Sequence, residues 1–133
     1  MFDFPQPPFR TSVVSTKEHA VLDYLVGTVM IGVPWLLGFS HDLRALWPLV
    51  TAGGLVLLLA VVTDYEGGLV KQLLMMLHLA FDRLIGSLLG ASPWLLGFAN
   101  RIFLPHLILG LLLLALGLLT ERLPANKKTV RTK

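Results

Sequence analysis

No cysteine occurs in the 133 residues. Disulfides, thiolate zinc sites, iron–sulfur ligation and c-type haem attachment are thereby excluded, and the redox compartment leaves no mark on the chain. Charge is also scarce. Asp, Glu, Lys and Arg make up 14% of the residues, against roughly 25% in an ordinary soluble domain. The opening MFDFPQPPFRTSVV lacks a basic segment followed by an apolar one, so no cleavable signal peptide is expected. There is no nucleophile–base–orienter set, no Gly-rich phosphate cradle and no acidic metal motif. No catalytic residue is nominated, and a non-enzyme is expected.

What the chain does have is apolar length. Ala45–Thr63 and Ile102–Thr120 are runs of 19 residues without a formal charge, and the mean hydropathy of the chain is +0.75. At about 1.5 Å per residue such a run covers roughly 28 Å, close to the ~30 Å hydrocarbon core of a bilayer. An all-α integral membrane protein follows, with four transmembrane helices.

The first helix is announced by Ser15-Thr16-Lys17-Glu18, a capping-box pattern. It should end or kink at Pro34. FSHDLR connects it to a second helix at Ala45–Thr63, DYEGG makes the next turn, and a third helix is expected from about Leu69 to Ala91. The fourth is Ile102–Thr120.

PWLLGF occurs twice, at Pro34–Phe39 and Pro93–Phe98. With a shift of 59, His19–Ser40 falls on His78–Ala99 and 10 of 22 positions are identical. With a shift of 57, Pro48 falls on Pro105, Gly53 on Gly110 and Thr63 on Thr120. Each repeat is thus one helix, a Pro-Trp break and one returning helix. The organisation expected is an irregular arm at 1–14, a first hairpin at 15–63, a turn and helix lead-in at 64–77, a second hairpin at 78–120, and a basic tail at 121–133. Two tandem hairpins begin on the same side of the membrane, so they are parallel repeats. Arg10, Lys17, Lys71, Arg122 and the tail cations share one side, while only Arg44 and Arg101 lie on the other. The positive-inside rule places both termini in the cytoplasm, in a cell (inner) membrane.

Ser92-Pro93-Trp94-LLGF, in a two-helix unit led by Asp82 and Gly86, resembles the SPW-repeat family of small membrane proteins. The first copy has Val33 in place of the serine. The resemblance implies a membrane-spanning module without an assigned enzymatic activity.

Two sets of repeated residues invite a role. Pro34, Trp35, Gly38, Pro93, Trp94 and Gly97 read as re-entry corners, with tryptophan at the interface and glycine available for a positive φ. His19 with Asp23, and His78 with Asp82, are four apart and so share a helix face. That face continues into Gly27 and Gly86, which permit close helix approach. Lipid offers no hydrogen bonds, so these stripes should face protein. Three uses compete for them: pinning of helix packing, a haem or metal site (haem through His19 and His78, metal through all four), and proton or ion handling. His106 and His41 carry weaker signals.

The leading expectation is a non-catalytic accessory or scaffolding subunit that packs against a larger membrane complex, an energy-transducing one included, or against itself. Its partners are membrane lipids and membrane chains, not nucleic acid, and no cofactor is expected through dedicated ligands. The alternative is a small haem-, metal- or ion-handling protein using the histidine–aspartate pairs.

Overall fold

A computed structural model describes residues 13–121. Most of the expected N-terminal arm and basic tail lies outside them. Among the described residues there are four helices and no strands: α1 (Thr16–Leu36), α2 (Leu43–Val62), α3 (Met75–Leu95) and α4 (Leu104–Leu119).

The α1 start follows its sequence signal. Ser15 Oγ accepts from the Glu18 N–H at 3.2 Å, and Glu18 Oε2 accepts from the Ser15 N–H at 2.9 Å. The other end departs from expectation, because α1 runs through Pro34 to Leu36 and α3 through Pro93 to Leu95. A proline this close to a helix end removes only one hydrogen bond. In α3 the carbonyl so deprived, that of Leu89, accepts from Ser92 Oγ at 2.7 Å. The serine of the motif replaces the N–H that its proline lacks.

The turn itself is made by the residues after Pro-Trp. Gly38 and Gly97 adopt φ of 78° and 73°, in the left-handed region that a Cβ disfavours. The Phe39 N–H donates to the Pro34 carbonyl and the Phe98 N–H to the Pro93 carbonyl, both at 2.8 Å. PWLLGF is therefore a Schellman helix terminator, running from the third-last helical residue to the second residue beyond the cap. Trp35 and Trp94 point outward, and Phe39 and Phe98 turn into the core.

The third helix starts at Met75 rather than near Leu69. Residues 69–74 instead fold back along the end of α2. N–H groups of Leu69 and Val70 donate to the Val61 carbonyl, and those of Gln72 and Leu73 to the Val62 carbonyl. The carbonyls that a helix C-terminus leaves without partners are satisfied in this way.

Each hairpin closes on a glycine pair. A Cβ on Gly53 would stand 2.6 Å from the Gly27 carbonyl oxygen, and one on Gly110 would stand 2.5 Å from the Gly90 nitrogen. The core runs from Val26, Met30 and Leu49 to Leu89 and Leu113. Helices α1 and α2 are long and apolar enough to cross a membrane; α4 is apolar but has 16 residues. Helix length and composition thus support two spans, where four were expected.

Candidate metal centre

With α3 starting at Met75, Asp82 lies as deep in α3 as Asp23 does in α1. The two helices bring His19, Asp23, His78 and Asp82 to one point between the hairpins, with all four side chains fully buried. His19 Nε2 lies 3.0 Å from Asp23 Oδ1, 2.9 Å from Asp82 Oδ2 and 3.3 Å from His78 Nε2. His78 Nε2 lies 3.2 Å from Asp23 Oδ2 and 3.2 Å from Asp82 Oδ2. One ligand atom from each of the four residues falls within 4.8 Å of every other.

Two threonines orient the rings. Thr63 Oγ1 stands 2.6 Å from His78 Nδ1, and Thr120 Oγ1 stands 2.7 Å from His19 Nδ1. Each hydroxyl also donates at 2.6 Å to the carbonyl four residues before it, Leu59 or Leu116. A hydroxyl has one proton, so toward the ring it accepts. Nδ1 therefore carries hydrogen in both histidines, and both Nε2 atoms face inward. The threonines are repeat counterparts, and each serves the histidine of the other repeat. Their positions are set by matching backbone bridges, Thr63 with Leu73 and Thr120 with Val14.

Tyr65, from the α2–α3 loop, donates to Asp23 Oδ2 at 2.7 Å. Burial and the Asp23 carboxylate push its phenol well above the ordinary range, so it stays a donor. The loop is held over α1 by Thr16 donating to Glu66 at 2.7 Å and Tyr24 donating to the Gly67 carbonyl at 2.9 Å. Among the described residues, Asp23 Oδ1 and both oxygens of Asp82 are buried with no donor aligned on them, although ring nitrogens lie near.

Thr63, Thr120 and Tyr65 carried no functional reading in the sequence. The signal for the threonines was present, since Thr63 overlays Thr120 when the returning helices are aligned. The residues read as corners lie at the opposite end of the bundle and do not join the site. His106 sits there too, buried between the rings of Phe39 and Phe98, and donates to the Ala45 carbonyl at 2.8 Å. His41 is exposed beside Asp42.

Fold and site define a duplicated helical-hairpin protein with a buried two-histidine, two-aspartate cluster at the junction of its repeats. A family model described as the SPW repeat domain matches residues 17–120, and the chain belongs to the SPW repeat family. No curated protein and no solved structure matches it. Family and apolar helices together point to a small membrane protein.

Proposed function

We propose that the two repeats together hold one divalent transition-metal cation, of the zinc class, through His19 Nε2, His78 Nε2 and the carboxylates of Asp23 and Asp82. The observation that carries this reading is the pair of threonines. With Nδ1–H bonded outward in both rings, the atoms converging on the centre are two imidazole lone pairs and carboxylate oxygens. All of them are acceptors, and they require a cation.

Two protons would also balance the charge. They would make two imidazolium rings whose Nε2 atoms face each other at 3.3 Å, while three carboxylate oxygens still lack an aligned N–H. A metal fits better. Bonds of about 2.0–2.1 Å in a tetrahedron imply ligand–ligand edges of about 3.3–3.4 Å. The nitrogen-centred separations here are 2.9 to 3.3 Å and draw on both oxygens of Asp23. One ligand atom per residue lies within 4.8 Å of every other, so ion binding would open the shorter edges slightly and turn the carboxylates to close the longest. A divalent ion with two carboxylates is neutral overall, which suits a fully buried site. Outward hydrogen bonds that fix the tautomer are the usual support of a metal-bound imidazole. A haem does not fit, because rings this close leave no room for a porphyrin between them.

Four protein ligands with no open position suit a structural or storage site better than a catalytic one. In this reading all four helices lie in the membrane, both termini are cytoplasmic, and the centre sits near the cytoplasmic face of a cell membrane. The accessory role becomes secondary to the centre, which would staple the module for any assembly it enters.

The test is metal content. Purified in mild detergent through a histidine-free tag and without chelator, the protein should carry about one metal ion per chain. The double variant His19→Gln, His78→Gln should carry none and keep its helical circular dichroism. Metal-free wild-type protein that is fully assembled and does not take up zinc, manganese, iron or cobalt would contradict the reading.

A further inference from the structure

A groove of about 420 Å³ runs between α2 and α3, and none of the four cluster residues lines it. This is within the range of roughly 300–1,000 Å³ typical of ligand sites. Along α2 it extends from Leu43 to Leu55, and along α3 from Ile85 to Leu96. The α2 stretch rises about 18 Å, a little over half of the ~30 Å hydrocarbon core. Its depth is that of one leaflet. The lining is almost wholly apolar, with Thr51 and the buried Ala52 among the smaller residues. Their counterparts in the second repeat are Ile108 and Leu109, which are bulkier.

The groove does not end in apolar residues. Leu43 and Arg44 also line an adjoining cavity of about 510 Å³, together with His41, Asp42 and Arg101. The Arg44 guanidinium reaches across to the second repeat, with Nη1 4.0 Å from where a Cβ on Gly97 would lie. Arg101 Nη2 pairs with Asp42 Oδ2 at 3.0 Å and is 56% exposed. Two arginines and one aspartate line this cavity, an excess of positive charge at the rim of a leaflet-deep apolar slot. An apolar helix from another chain would bring no anion to that rim.

We propose that this groove binds an anionic phospholipid, with one acyl chain between α2 and α3 and the phosphate at Arg44 and Arg101. Arginine suits a phosphate because its planar fork donates two parallel hydrogen bonds. The site is independent of the metal centre, so either proposal can fail without the other.

The test titrates delipidated full-length protein in detergent with phosphatidylglycerol or phosphatidylcholine, followed by native mass spectrometry. One phosphatidylglycerol should bind in clear preference to phosphatidylcholine. Arg44→Gln should weaken phosphatidylglycerol binding about five- to tenfold and remove the preference. Thr51→Ile, at an exposed position, should weaken both lipids by filling the groove. Unchanged elution volume and helical content show that both variants are folded. Equal binding of the two lipids, or binding indifferent to both variants, would overturn the proposal. So would a photo-crosslinker at Leu88 that captures a protein helix instead of lipid in native membranes.

Discussion

The two ends of the bundle use the internal repeat in opposite ways. At the corner end each PWLLGF closes on its own chain: the Phe39 N–H caps Pro34 and the Phe98 N–H caps Pro93. At the terminal end each histidine meets the aspartate of its own helix, but the cluster is completed only across the repeats. Thr63 serves His78, Thr120 serves His19, and each histidine contacts the aspartate of the other hairpin. Identical residues can therefore mean two different things. At the corners they record the same local folding problem solved twice, and at the other end they record two halves of one site.

The largest test of this contrast bears on the hairpin crossings that both ends depend on. Gly110→Val places a branched side chain where a Cβ is already 2.5 Å from backbone nitrogen and 2.6 Å from the Gly86 oxygen. Backbone on both sides cannot yield locally, so a loss of about 3 kcal/mol or more is expected. The measurement is accumulation and thermal unfolding in detergent.

The next prediction sharpens the difference between shared and local. Thr63→Val and Thr120→Val keep shape but remove the acceptor that fixes each ring. Metal affinity should fall about 10–100-fold for either, and by isothermal titration the two losses should be alike although the residues belong to different repeats. At the corners, Gly38→Ala and Gly97→Ala should each cost about 1–2 kcal/mol through the left-handed backbone, with metal content untouched.

The smallest expected effect concerns the residue just before the repeated proline, where the corners differ. Ser92→Val frees the Leu89 carbonyl and should cost about 0.5–1.5 kcal/mol. The reverse change, Val33→Ser, should not destabilise, because the first proline leaves the same kind of carbonyl without its N–H. Equal and opposite shifts in thermal midpoint would tie the serine to the proline, and no shift in either would undo that link.

Much of the fold was legible because the duplication doubled each signal. The capping box at Ser15, the paired glycines and the histidine–aspartate spacing all stood in the residues themselves. The start of α3 was not, since LVKQLLMML is as apolar as a helix and only the pairing of Leu69–Leu73 with the end of α2 keeps its first six residues out of the helix. Pro34 and Pro93 misled for a related reason. Their helix-breaking tendency costs little in the last turn, where a glycine terminator follows anyway. Within the site, Tyr65 was invisible because a turn residue without a repeat counterpart carries no pattern. Thr63 and Thr120 were visible as a repeated pair, but their role depends on which histidine each reaches, and that is set by the packing of one hairpin on the other.

X-ray absorption at the edge of the metal that co-purifies with the full chain tests the central claim most directly. The account predicts four nitrogen and oxygen neighbours at about 2.0–2.1 Å, with the outer-shell scattering of two imidazole rings that disappears in the His19→Gln, His78→Gln variant. A shell of water oxygens without imidazole scattering, or no bound metal at all, would contradict it.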